Sequence, residues 1–198
     1  MFTGIIEEIG TIHSIADNKD IHQYRIHAST NFIDGMQRGD SIAVNGICLT
    51  AYDIQQDSFL IDVSNETQKC TSFGLPTRDN RVNLERAVTP STRLGGHLVS
   101  GHVDGLGALV KREDNHNETI LWISYLPELA KYIAVKGSIC INGVSLTVNE
   151  IKDNQLCVTI IPHTLKNTTL SSIQEQDLVN IEVDLIARYL EQIVNSKA

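Results

Sequence analysis

Gly39-Asp-Ser-Ile-Ala-Val-Asn-Gly-Ile-Cys-Leu-Thr50 is written twice in this chain. It returns 97 residues later as Lys136-Gly-Ser-Ile-Cys-Ile-Asn-Gly-Val-Ser-Leu-Thr147, with six of the twelve positions identical. The same offset lays Thr3-Gly4 over Ser100-Gly101, Gly10 over Gly107 and Asp17-Asn18 over Asp114-Asn115. It also lays Thr67, Lys69 and Thr71 over Thr164, Lys166 and Thr168, and Val82-Asn83 over Val179-Asn180, all without a gap. Register held over this distance marks a duplicated domain. Solenoids need three or more shorter units. Duplication at this scale suits a protein that handles two similar ligands, or one ligand twice.

The quoted stretch also sets the fold class. Each copy centres on an Asn-Gly pair, Asn45-Gly46 and Asn142-Gly143, between apolar runs. That is the strongest short-range hairpin signal, because both turn residues tolerate positive φ. Further strands are expected at Ile5–Ile15, Tyr24–Ala28, Phe59–Val63 and Val82–Ala87. Their mates are Val103–Lys111, Thr119–Ser124, Leu156–Ile160 and Val179–Val183. About six short strands per copy, with Gly-rich turns, predict a small closed barrel. Short helices are expected at Ser29–Met36 and at Leu126–Ile133, the latter with Pro127 at a first helical position. Ala87–Gly96, with Pro90 and Gly95-Gly96, reads as the linker.

The repeat ends before a last segment, Asp184–Val194. Asp184 is its N-cap, and Ile186, Tyr189, Leu190, Ile193 and Val194 form an apolar stripe. The stripe fits packing on the barrel and an oligomer contact equally well. The expected division is therefore a barrel over 1–93, a second over 94–184 and a helix over 185–198. The fold class is all-β with one C-terminal α-helix.

Composition narrows the function. Of 198 residues, 41% are hydrophobic and 20% charged, as in a globular chain. The net charge of −8 disfavours nucleic-acid and anionic-membrane partners, which need clustered Lys and Arg. No apolar run reaches membrane-span length, and the start Met-Phe-Thr-Gly-Ile-Ile-Glu-Glu carries no signal-peptide pattern. A cytoplasmic location is expected. Cys48, Cys70, Cys140 and Cys157 have no Cys-x-x-Cys spacing, so free thiols are expected rather than a zinc or dithiol site.

Within the matched motifs the copies differ at polar positions. Ile5 lies over His102, Cys48 over Ser145, Glu66 over His163 and Asp62 over Thr159. Each difference fits ordinary drift. Together they also fit one scaffold used in two roles, one with a nucleophile or base that the other lacks. His97 and His102, five apart in a Gly-rich run, lack a third ligand at metal spacing, and the glycines lack the full pattern of a phosphate cradle.

These residues carry a resemblance. Met1-Phe-Thr-Gly4, Asn45-Gly-x-Cys-Leu-Thr50, Glu66-Thr67, Asn83-Leu-Glu-Arg86, Gly95-Gly-His-x-Val-Ser-Gly-His-Val-Asp104, Gly143-x-Ser-Leu-Thr-Val148 and Ile161-Pro-His-Thr164 resemble, in order along the chain, the motif set of the riboflavin synthase family. The resemblance implies two six-stranded Greek-key barrels and a helix that builds a homotrimer. It also implies the reaction. Two molecules of 6,7-dimethyl-8-ribityllumazine exchange a four-carbon unit and give riboflavin and 5-amino-6-ribitylaminouracil, without cofactor. Lumazine synthase is the implied partner, and the reacting pair is implied to lie between the barrels of neighbouring subunits.

Carried over by motif, the resemblance implies His102 as acid/base and Ser145 and Thr147 as hydroxyls near the C-barrel ring. It implies Cys48 and Ser41 at the N-barrel ring, with Phe2 beside the site. Backbone at Gly4, Ile5, Ile6, Gly101, His102 and Val103 meets the pyrimidine edge. Asp62, Val63, Ser64, Asn65, Glu66 and Thr67, and their mates Thr159, Ile160, Ile161, Pro162, His163 and Thr164, meet the ring and ribityl chain. Leu49, Thr50, Lys136, Leu146 and Asp184 complete the substrate set, and no metal is implied. Two positions depart from the family: Asn142 stands where Asp is common, and Ala51 where Val is usual. A turn survives the first change. Two other readings compete. A lumazine- or flavin-binding antenna protein would have lost much of the second copy's motif, which this chain keeps. A flavin reductase domain would need an adjoining βαβ unit, for which no residues remain.

Overall fold

The computed structural model describes residues 1–17, 21–75 and 79–196. The first barrel is built from β1 (Glu8–Asp17), β2 (Ile21–His27), β3 (Ser41–Val44), β4 (Ile47–Thr50), β5 (Ser58–Ser64) and β6 (Arg81–Arg86). The second uses β7 (Gly105–Asp114), β8 (Thr119–Ser124), β9 (Ser138–Ile141), β10 (Val144–Lys152), β11 (Gln155–Ile160) and β12 (Leu178–Val183). Strand order is β4-β3-β6-β1-β2-β5 in the first and β10-β11-β8-β7-β12-β9, closed, in the second. These orders match element for element, as the repeat requires. The first barrel shuts more weakly: among the described residues, a single bridge between Tyr52 and Leu60, beyond the end of β4, joins it to β5. Asn18, which the repeat matches to Asn115, lies outside the described residues.

Alternation explains the cores. β8 alternates strictly between buried and half-exposed residues, and Leu121 and Ile123 are fully buried. They pack with Leu109, Ile139, Leu156 and Val158 in the second core. Ile26, Ile42, Phe59, Ile61 and Leu84 fill the first. The helices are shorter and more numerous than the sequence suggests. Ser29–Met36 yields only α1 (Thr30–Ile33), capped by Ser29, and Leu126–Ile133 yields a 3-10 turn over Pro127–Tyr132. Two further helices, α2 (Asn65–Cys70) and α3 (Pro162–Lys166), follow directly on the expected strands Phe59–Val63 and Leu156–Ile160, where no helix is expected. Ser64 caps α2 through its hydroxyl, and Pro162 opens α3. The final helix α4 (Leu185–Asn195) begins as expected, with Asp184 accepting the Ile186 N–H.

The two barrels meet about a pseudo-twofold axis at the quoted hairpins. Asn45 and Asn142 both adopt φ 47°, followed by Gly46 at 78° and Gly143 at 83°. The turns stack: a Cβ on Gly46 would lie 2.6 Å from the Gly143 nitrogen, and one on Gly143 would lie 2.8 Å from the Gly46 nitrogen. Four buried asparagines satisfy the polar groups this contact traps. The Asn83 side-chain amide donates to the Asn142 carbonyl at 2.8 Å, and Asn180 donates to the Asn45 carbonyl at 2.9 Å. Asn45 Oδ1 and Asn142 Oδ1 accept from the backbone N–H of Asn83 and Asn180. Asn83 Oδ1 and Asn180 Oδ1 accept from the N–H of Thr169 and Ser72. Asn142 is thus a structural link at the domain contact.

The linker is not free chain. Phe2 forms an antiparallel bridge with Val99, and the two pack with Ala43 and Cys140 between the barrels. Gly96 approaches so closely that a Cβ there would meet the Thr3 carbonyl at 2.2 Å and Ser145 Oγ at 2.8 Å. Glycine is required by that approach.

Candidate active site

The segments before the two barrels cross over. Residues leading into the first barrel lie on the second: Ser145 N–H donates to the Gly4 carbonyl at 2.8 Å. Residues leading into the second lie on the first: Cys48 N–H donates to the Gly101 carbonyl at 2.8 Å. Gly4 and Gly101 have φ of 74° and 80°, and a Cβ on either would stand 2.6 Å from the Cβ of Ser145 or Cys48. Two equivalent surfaces result. One joins Gly4–Ile6 to Ser145 and Thr147 on β10. The other joins Gly101–Val103 to Cys48 and Thr50 on β4. The exchange pairs Ile5 with Ser145 and His102 with Cys48, so the two surfaces differ chemically.

On the β10 surface His97 Nδ1 lies 2.6 Å from Ser145 Oγ. The ring is half-buried, and its Nε2 is buried with no partner among the described residues. Burial pushes the imidazole pKa down, and the Asp184 carboxylate opposes the shift. If the neutral ring carries its proton on Nε2, Nδ1 accepts the Ser145 hydroxyl, the arrangement of a base activating a nucleophile; with the proton on Nδ1 the ring donates to Ser145 Oγ instead. Sequence reasoning noted His97 but gave it no role. Only the fold brings it to Ser145, 48 residues away.

The remaining expected residues divide between the surfaces. Ser41, at the start of β3, pairs with Thr50 and opens onto a cleft of about 740 Å³ lined also by Thr3, Ile5 and Arg86. Asp62 accepts from the Tyr52 hydroxyl, which in turn accepts from Gln23. Burial, then the Asp62 contact, raises the Tyr52 pKa. Val63 is buried in the barrel core. Asn65, Glu66 and Thr67 form the first turn of α2, where Thr67 N–H donates to Ser64. On the second barrel Thr159 N–H donates to Asn149 Oδ1 at 3.2 Å. Ile160 is buried, while Ile161 caps α3, 58% exposed, ahead of Pro162, His163 and Thr164. Leu49 is buried and Leu146 partly so, both turned to their cores. Lys136 is exposed, at φ 68°. Phe2 is fully buried beneath Gly101 and next to Cys48's cluster. His102 and Ile5 are exposed.

Further groups tie the surfaces to the frame. Asp104, two residues past His102, accepts from the Val183 N–H at 2.8 Å and from Arg188 of α4 at 2.9 Å. Burial raises the Asp104 carboxyl, with Val183, Arg188 and His102 opposing. Cys70, exposed, donates to Glu66, and that contact raises its thiol pKa. Cys140 is fully buried, and burial raises its thiol strongly. Among the described residues, no three His, Cys, Asp or Glu side chains converge as a metal site.

The lumazine-binding domain model matches the chain twice, over residues 3–87 and 100–184. The chain belongs to the riboflavin synthase family. It is 43% identical to riboflavin synthase of Photobacterium leiognathi over 98% of this chain and 89% of that one. It is 44% identical to the Actinobacillus pleuropneumoniae synthase over 100% and 91%, and 41% identical to that of Bacillus subtilis (strain 168) over 98% and 90%. Among solved structures, LumP complexed with riboflavin matches with a TM-score of 0.86 at 26% identity, covering 92% of this chain and 99% of that one. LumP complexed with 6,7-dimethyl-8-(1'-D-ribityl) lumazine matches with a TM-score of 0.83 at 25% identity over the same shares.

Proposed function

We propose that the chain is a riboflavin synthase that transfers a four-carbon unit between two molecules of 6,7-dimethyl-8-ribityllumazine. The observation that carries the reading is the His97–Ser145 hydrogen bond on one of two surfaces that share a backbone geometry and differ in side chains. Identical substrates need different treatment: one ring donates four carbons and leaves as 5-amino-6-ribitylaminouracil, and the other accepts them. The new ring of riboflavin forms when the acceptor's deprotonated methyl carbons attack the ring carbons of the donor, so the donor is the ring to be activated by addition at an electrophilic carbon. Ser145, relieved of its proton by neutral His97, supplies the oxygen for that addition, directly or through water, and the same oxygen is expelled and reprotonated by His97 before the products leave. The opposite surface offers Cys48 and the exposed His102, suited to moving protons on the second ring. The lumazine 7-methyl protons are already acidic, because the anion delocalises into the ring. Positioning then supplies much of the rate, on the order of several kcal/mol. No group beyond these side chains is needed, so the reaction runs without an added cofactor.

Three copies assemble through α4, and the reacting rings meet between subunits. Two features support this. The described residues of α4 bury none of their side chains, and its stripe is exposed at Ile186 (58%), Tyr189 (63%) and Val194 (67%). The helix touches its own barrel through polar groups, Arg188 to Asp104 and Glu191 to Lys131 and Tyr132. A cytoplasmic trimer able to dock on lumazine synthase fits this reading. Purified protein mixed with the lumazine should yield riboflavin and the uracil product in equal amounts, by absorbance and chromatography. Tight binding of lumazine without turnover would support an antenna role instead.

A further inference from the structure

The buried face between the barrels holds two glutamates. Glu85, on β6 of the first barrel, is 4% exposed, and Glu182, its mate on β12 of the second, is 2% exposed. Among the described residues neither has a cationic hydrogen-bond partner, and burial raises both carboxyls despite the donors around them. Glu85 accepts from Thr3 N–H at 2.6 Å, Thr3 Oγ1 at 2.7 Å and Gly4 N–H at 3.0 Å. Glu182 accepts from Ser100 N–H at 2.7 Å, Ser100 Oγ at 2.6 Å and Gly101 N–H at 2.9 Å. A carboxylate at such a depth persists only when its oxygens are satisfied, and here three donors do so in each case.

The clamped segments do not serve the barrel that clamps them. Gly4, held from the first barrel, presents its carbonyl to Ser145 of the second. Gly101, held from the second, presents its carbonyl to Cys48 of the first. We propose that Glu85 and Glu182 are positioning residues acting across the domain boundary, each building the rim of the other barrel's site. The proposal rests on the preceding functional reading only in taking those rims as substrate contacts. It gives a physical reason for joining the two barrels in one chain, since neither site is complete without a carboxylate from the opposite core.

The test uses the full chain with Glu85→Gln and Glu182→Gln. Glutamine keeps one acceptor oxygen but points an NH₂ at a donor that the carboxylate had satisfied. The first readout is amide hydrogen exchange at Ser145 and Cys48, followed by NMR. Losing a hydrogen bond to a charged group should speed exchange about tenfold or more at the dependent amide. Glu85→Gln should loosen Ser145 and spare Cys48, and Glu182→Gln should do the reverse. The second readout is riboflavin titration, with the same two amide signals reporting each surface. The apparent Kd should rise about tenfold at the crossed site and stay within about twofold at the other. Thr3→Ala and Ser100→Ala, which each remove one donor and leave the carboxylate in place, should give the same crossed pattern at smaller size. They carry the test if the glutamine variants do not fold. Loosening confined to the mutated residue's own barrel, or equal at both amides, would overturn the proposal. If the unaltered protein binds neither riboflavin nor the lumazine, the functional reading fails, and the exchange pattern still decides the crossing.

Discussion

His97 shows how a side chain's role can depend on a single contact. Its half-buried ring loses solvation for the charged form, so its pKa drops below the ordinary histidine value of about 6.5. A base with a depressed pKa stays unprotonated, and so able to take the Ser145 proton, to lower pH than a free histidine would. The acid limb of the kcat profile should therefore fall at a pH below about 6.5. His97→Ala should cut turnover by about 10²–10⁴ and remove that limb. Ser145→Ala should cut turnover comparably, whereas Cys70→Ala, outside both surfaces, should stay within about twofold. Circular dichroism on each variant separates chemistry from unfolding. A profile whose acid limb survives His97→Ala would assign the titration to another group, with His102 first in line.

At the scale of elements, the hairpins were readable and the contact between them was not. Asn45-Gly46 and Asn142-Gly143 announce tight turns because asparagine and glycine tolerate positive φ. Nothing in the local pattern says that the two turns stack on each other. The pairing needs Asn83 and Asn180, which read as polar interruptions in strands and act as cross-domain donors. Their recurrence at the repeat offset was the available signal, and the same holds for Glu85 and Glu182. Helices α2 and α3 escaped because each is under two turns long, too short for helical periodicity to register. The crossed segments are a tertiary fact: Thr3 and Ser100 precede the first expected strand of each copy, and nothing local says whose strand they meet. Gly143→Ala tests the stacking. It introduces a Cβ 2.8 Å from the Gly46 nitrogen and forces alanine to φ 83°. Backbone cannot yield as a flexible side chain would, so a cost of about 2–4 kcal/mol is expected in denaturant melts. Gly35→Ala shares the positive φ but meets nothing within 4 Å, and it should cost distinctly less. Equal losses would mean that the φ penalty alone matters and that the turns do not press together.

At the scale of the molecule, α4 lies outside the repeat and is tied to its own barrel mainly by charge. Its stripe of Ile186, Tyr189, Leu190, Ile193 and Val194 faces outward in the single chain, and each large side chain left so forgoes roughly 1.5–3 kcal/mol of burial. Helices from three copies, packed around an axis, would bury those stripes together. Deleting residues 185–198 should turn a trimer into monomers and abolish turnover while sparing riboflavin binding, because neither barrel draws its core from α4. Deletion alone is ambiguous, however. It also removes Arg188, whose ion pair holds Asp104 two residues from His102. Ile193→Asp separates the two effects: it places a charge in the stripe and leaves Arg188 where it is. If assembly creates the site, Ile193→Asp should lower the mass seen by light scattering and turnover together, and concentrating the protein should restore both. Arg188→Gln should do the opposite, keeping the trimer while weakening turnover through a loosened Asp104. A monomeric Ile193→Asp protein that makes riboflavin at the normal rate would place both rings within one chain, and the inter-subunit reading would then be dropped.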